Sequence, residues 1–132
     1  MGQQYESENG PLNALYEKAY RIYEEKRFDE ALFSFMKLVA QNPKEKNYWF
    51  ALASTYQALT MYIQAKAAWD TYLYIDPQYP EAYFEAAKCA YFLGKIEAID
   101  LMEQAKIHSL DPLFEKKAKT IKQKWQQEIS YG

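Results

Sequence analysis

The chain has 132 residues, a net charge of −2 and a single cysteine, Cys89. That length suits one domain with a core of its own, the charge argues against a nucleic-acid partner held by phosphate neutralisation, and one thiol with one histidine, His108, leaves neither an internal disulfide nor a metal site to build. Composition is 49% apolar and 17% aromatic, with 13 tyrosines against four glycines and five prolines, which favours helices joined by short turns. No run approaches the roughly 18 apolar residues needed to cross a bilayer, and the start, MGQQYESENGP, lacks the apolar stretch of a secretion signal. The expectation is a cytoplasmic protein that does not insert in membranes.

In chain order, residues 1–11 read as a flexible N-terminal segment, followed by a single domain over 12–132. The first helical pattern, 12–25, contains ALYEKAYRIYEE, in which Tyr16, Tyr20 and Tyr23 share one face while Leu15, Ala19 and Ile22 share another about 100° away. Further helices are expected at 28–41, 45–58, 62–75, 80–92 and 95–108, with Asn42-Pro43 and Asp76-Pro77 as breakers, because the residue before proline avoids the helical region. A last pattern over 112–129 places Phe114, Ala118, Ile121 and Trp125 on one stripe and crowds Lys116, Lys117, Lys119, Lys122 and Lys124 around the remainder.

Sliding the chain against itself by 34 residues brings like onto like. Leu15 falls on Trp49 and Tyr83, Ala19 on Ala53 and Ala87, Ala31 on Ala65, Phe35 on Trp69, and Pro43 on Pro77. The third unit is one residue short after Gly94, so Ala98, Met102 and Ala105 stand one position ahead of where Ala31, Phe35 and Leu38 would place them.

The order large, Leu, small, Tyr, then Tyr, Ala, aromatic and Pro, clearest as Trp49, Leu52, Ala53, Tyr56, Tyr62, Ala65, Trp69 and Pro77, resembles the tetratricopeptide repeat. The resemblance implies an all-α fold: three helix-pair repeats, about 12–45, 46–79 and 80–111, stacked as a right-handed superhelix and closed by a capping helix at about 112–129. Small residues at Ala19, Ala31, Ala53, Ala65, Ala87 and Ala98 would let paired helices approach closely, and Tyr72 stands where the repeat normally carries a small residue.

In such stacks the first helix of each unit lines the concave side. Register then assigns Tyr16, Tyr20 and Tyr23 to a groove, joined by Asn47, Phe50, Ser54 and Gln57 from the second unit and Phe84, Lys88 and Tyr91 from the third. Aromatic rings there supply rigid contact area for a peptide, with Gln57 and Asn47 as main-chain hydrogen-bond partners. Burial within the stack is an alternative for Phe50 and Phe84, and coverage by the N-terminal segment or a dimer partner is an alternative for the three tyrosines.

A narrower resemblance covers Leu12 to about Ile129. The runs LYEKAYRIYEEKRFDEAL, NYWFALASTYQALTMYIQA and YFEAAKCAYFLGK, with three repeats and a final helix, are similar to the class II chaperones of bacterial type III secretion. The resemblance implies that the groove clasps an extended, proline-containing segment of hydrophobic translocator proteins in the bacterial cytoplasm, without a cofactor, and it leaves a homodimer open. Three features depart from the family's habit. About eleven mostly polar residues precede Leu12 in place of a longer, often helical extension; Thr60-Met61 replaces a glycine-containing turn; and Lys88 stands where an acid is frequent.

A generic tetratricopeptide adaptor for another cytoplasmic protein is the alternative, although Tyr16, Tyr20 and Ala51 occupy the places where a carboxylate clamp needs Lys and Asn. An enzyme is not expected, because His108 and Cys89 have no placed acid or base near them in sequence.

Overall fold

The computed structural model describes residues 2–131, with side chains from 10 to 129; Met1 and Gly132 lie outside the described residues. Seven α-helices follow one another: α1 (Gly2–Glu24), α2 (Phe28–Gln41), α3 (Lys46–Ala58), α4 (Tyr62–Ile75), α5 (Pro80–Phe92), α6 (Glu97–His108) and α7 (Pro112–Tyr131). No strand occurs among the described residues. Packing runs between consecutive helices, with a smaller contact of α1 on α3, as expected of stacked helix pairs.

The repeat is visible in the turns as well as in the helices. Within each unit the first helix ends on a left-handed residue, Lys26 at φ 63°, Thr60 at φ 56° and Gly94 at φ 71°, spaced 34 residues apart. Each of these N–H groups donates to the carbonyl three residues back: Lys26 to Tyr23, Thr60 to Gln57 and Gly94 to Tyr91, at 2.9 Å in all three. The next residue reaches five back, Arg27 to Ile22, Met61 to Tyr56 and Lys95 to Ala90. These pairs are Schellman caps, which satisfy the carbonyls a helix end leaves open.

The turns between units repeat too. Trp49 donates from Nε1 to the Pro43 carbonyl at 2.7 Å, and Tyr83, 34 residues on, donates from its hydroxyl to the Pro77 carbonyl at 2.6 Å. Before α7 the chain stops on Asp111, whose Oδ1 accepts from the Leu113 N–H at 3.0 Å, with Pro112 at the first helical position.

The core consists of three clusters laid end to end. Ala19, Ala31, Phe35 and Leu38 meet Tyr48, Ala51 and Leu52 at the first junction. Ala53, Ala65, Trp69 and Tyr72 meet Ala82, Ala86 and Cys89 at the second, and Ala87, Ala98, Met102 and Ala105 meet Ala118 and Trp125 at the third. The one-residue slip in the third unit is therefore real: Ala98, Met102 and Ala105 are the buried positions of α6. Tyr72 is accommodated at 3% exposure, in edge contact with Trp69 at 6.1 Å.

Two boundaries differ from the sequence reading. α6 begins at Glu97 and not at 95, because the left-handed Gly94 and its following residue belong to the cap. α1 begins at Gly2, so the stretch over 1–11 expected to be flexible is helical from its second residue. Pro11 sits inside α1. An interior proline forfeits one backbone N–H and crowds the carbonyl four residues back, at a cost of about 3 kcal/mol, and with Gly10 beside it this makes the turn around Pro11 the weakest of α1.

Candidate functional site: an aromatic trough on α1 and α3

The three tyrosines of α1 are half-buried, one edge on the core and the other on open space. Tyr16 packs against Phe35 at 6.3 Å and Tyr48 at 5.2 Å between ring centroids, Tyr20 against Phe35 at 5.7 Å, and Tyr23 against Phe28 at 5.2 Å. Tyr16 and Tyr20 also meet edge to face at 5.0 Å, so the stripe is a fixed wall, with each such pair worth roughly 0.5–1.5 kcal/mol. These rings are both core and surface.

Their open edges line two adjoining cavities. The first, about 360 Å³, is bounded by Tyr16 and Tyr20, by Lys46, Asn47 and Phe50 of α3, and by Tyr72 and Tyr79. The second, about 370 Å³, is bounded by Tyr23, by Phe50, Ser54, Gln57 and Ala58, by Trp69, and by Glu81 and Glu85 of α5. Phe50 belongs to both. It stands edge-on to Trp69 at 4.9 Å and Tyr72 at 5.9 Å, with Tyr79 at 6.2 Å, so its ring is held by three others and forms the ridge between the two halves of one trough.

Burial shifts the ionisation of the tyrosine hydroxyls further above the neutral range. It pushes the Tyr72 hydroxyl up to about 12, aided by Asp76, and it raises Tyr16 further, with Tyr20 as the next cause. Tyr23 and Tyr79 are raised as well, chiefly by burial. Neutral hydroxyls can donate and accept along an otherwise apolar floor. Lys46 at the first cavity's mouth is held by Asp76 at 2.8 Å, which fixes the start of α3 to the end of α4.

Seven of the ten sequence-assigned residues, Tyr16, Tyr20, Tyr23, Asn47, Phe50, Ser54 and Gln57, thus gather at the trough. Gln57 has a second task besides lining the trough. Its Oε1 accepts from Trp69 Nε1 at 2.6 Å and its Nε2 donates to Glu85 Oε1 at 3.0 Å, so the amide is already committed to joining the second and third units.

Phe84 and Tyr91 of the third unit lie apart, because α7 covers them, while Lys88 stays partly exposed beside Glu85 of the trough wall. Phe84 is 6% exposed and packs on Phe114 at 5.3 Å. Tyr91 stacks on Trp125 at 4.5 Å with an interplanar angle of 8° and donates to Glu128 at 2.7 Å. Lys88 pairs with Glu85 at 3.1 Å.

Sequence reasoning missed Tyr72, Tyr79 and Lys46 as lining. Tyr72 had signalled itself as a large residue at a small position. Tyr79 lies in the turn before α5, where helical periodicity assigns no face. Cys89, 0% exposed, has its thiol pushed up to about 12 by burial and then by Glu85, so it is a protonated packing group. No group of His, Cys, Asp and Glu among the described residues is placed to hold a metal, and no described helix is long and apolar enough to cross a membrane.

No protein-family model matches the chain, and no curated protein matches its sequence. Solved structures do match. A T3SS complex from Aeromonas hydrophila is 22% identical, with a TM-score of 0.86 over 93% of this chain and 85% of that one. PcrH of Pseudomonas aeruginosa, in complex with the chaperone binding region of PopD, is 22% identical with a TM-score of 0.84 over 91% of this chain and 94% of that one. The type III secretion chaperone SycD of Yersinia enterocolitica, in complex with a peptide of the translocator YopD, is 21% identical with a TM-score of 0.79 over 92% and 94%. The chain therefore has the stacked helix-pair fold of these secretion chaperones, three repeats and a closing helix.

Proposed function

We propose that this chain is a type III secretion chaperone whose trough holds an extended segment of a hydrophobic translocator protein, keeping it soluble and competent for export in the bacterial cytoplasm. The observation that carries this reading is the unbroken aromatic trough across Tyr16, Tyr20, Phe50, Tyr72 and Tyr79, built into a fold that in PcrH and SycD accompanies a bound translocator segment.

The mechanism is capture. Apolar side chains of the segment enter the cavities on either side of Phe50, where preformed walls spare the ordering cost that a mobile surface would add. Neutral tyrosine hydroxyls tolerate water while the trough is empty and bond to the segment's main chain when it is full. The client's self-associating surface is occupied, and release needs only dissociation. The chain works by binding and not by catalysis.

The test is co-expression with candidate apolar translocators, purification, and identification of what stays bound. A soluble complex is expected, weakened by roughly 1–3 kcal/mol in Tyr16→Ala or Phe50→Ala, as for anchor truncations. Unaltered affinity in both folded variants would overturn the trough assignment. Recovery of soluble, non-membrane proteins alone would move the function to an adaptor.

A further inference from the structure

The trough ends at Glu85, and beyond it lies an arrangement of charge that the binding reading does not use. Glu85 accepts from Gln57 on one side and pairs with Lys88 on the other, at 3.0 and 3.1 Å. The Lys88 ammonium stands 5.5 Å from the centroid of the Phe84 ring, and the Lys117 ammonium, carried by α7, stands 5.1 Å from the same centroid. Two cations from different helices converge on one aromatic ring.

The ring attracts both through its face but neutralises neither. Glu85 is the one carboxylate paired with either lysine among the described residues, and it is shared with Gln57. The spot therefore carries an excess positive charge next to Glu85, the last carboxylate of a trough wall that presents Glu81 one turn earlier on α5. A carboxylate arriving there would be drawn to the lysines and repelled by Glu81, so its favourable position along the trough is defined.

We infer that Lys88 and Lys117 together receive an acidic side chain of the bound segment, placed at one end of its apolar stretch. This rests on the trough being the binding site. The pair sets which end of the segment lies at the third unit, and it selects segments with an Asp or Glu flanking the apolar anchors over those with Lys or Arg there.

The full chain, immobilised, would be used to select from a displayed library of random peptides of about 12 residues, roughly twice the six or so that an extended chain needs to cross three helix axes 8–10 Å apart. Peptides rich in apolar anchors with an acid enriched at one end are expected. In the Lys88→Gln, Lys117→Gln variant the acidic enrichment disappears while the apolar anchors persist. A selected peptide with its acid replaced by the amide binds the native chain about two- to fivefold more weakly per lysine contact, the range for exposed ion pairs, and equally to the variant. Lys117→Gln alone, at an exposed position, serves if the double variant loses helicity. Apolar peptides selected without acidic enrichment, or enrichment unchanged in the variant, would overturn this inference and leave the trough standing. Failure to select any peptide would overturn both.

Discussion

Thr60 and Gly94 occupy the same place in successive units and differ in how well they suit it. Both sit at the left-handed residue of a Schellman cap, at φ 56° and 71°. For a residue with a Cβ this conformation costs about 1–2 kcal/mol, and a β-branched residue suits it least. Replacing Thr60 by glycine relieves that cost but widens the unfolded ensemble by about 0.5–1 kcal/mol. The Thr60 hydroxyl bonds only to the neighbouring Leu59 carbonyl at 2.7 Å on the exposed surface, so its loss is small. Thr60→Gly is expected to stabilise the chain by about 0.5–1 kcal/mol, a rise of roughly 2–5 °C in Tm for a chain this size. Gly94→Thr runs the change backwards. A Cβ at Gly94 meets no atom within 4 Å, so no clash adds to the expected loss of about 0.5–1 kcal/mol, which is the backbone strain less the gain from a narrower unfolded ensemble. Both variants, and the double variant, would be unfolded in urea and followed by far-UV circular dichroism, with the double returning close to the native midpoint. A neutral Gly94→Thr, or a destabilising Thr60→Gly, would refute the claim that these caps hold strained residues.

Three further outcomes follow from the site and its support. Trp125→Ala, at a residue 6% exposed and stacked on Tyr91, should destabilise by about 3–5 kcal/mol in thermal melts, because it unseats α7 from the third unit. Cys89, buried and with its thiol pushed up to about 12, should resist a thiol reagent at neutral pH in the folded chain and react at once in denaturant; rapid native labelling would contradict the packing of α5. Tyr16, Tyr23, Tyr72 and Tyr79 ionise above the ordinary tyrosine value of 10.0, so the unfolded chain releases these protons first. Their contribution to stability is whole below pH 10 and is lost as pH rises beyond it; an ultraviolet titration should show a late-ionising subset of tyrosines that merges with the rest on unfolding.

The helix pairs were legible because a 34-residue period forces Ala19, Ala53 and Ala87 into one role, and role is what burial reports: all three are fully buried. The slip after Gly94 was legible for the same reason, since Ala98, Met102 and Ala105 kept their mutual spacing while shifting together. The start of α1 was not, because a proline inside a helix and one just ahead of it look alike when the preceding residues are polar. The trough was readable on α1 and α3, where the register of Leu15 and Ala19 places Tyr16 and Tyr20 by subtraction. It failed at Phe84 and Tyr91, since their cover, α7, comes from outside the repeat, and no periodicity within the repeats specifies where a terminal helix will lie. The bonds of Gln57 to Trp69 and Glu85 were not legible, because an amide's partners are set by geometry 12 and 28 positions away along the chain.

Among the described residues the main packing runs from each helix to the next, and the first unit meets the third only across the trough, where Tyr23 faces Glu81 and Glu85. The junctions of α2 with α3 and of α4 with α5 behave as joints in series, and a small rotation at each adds along the row. The trough spans the first joint through Tyr16 and Tyr20 against Phe50, and the second through Gln57 against Glu85. A segment wedged beside Phe50, as proposed for the trough, would press on both joints together, so a small rotation at each would adjust the width of the trough to the bulk of what it holds.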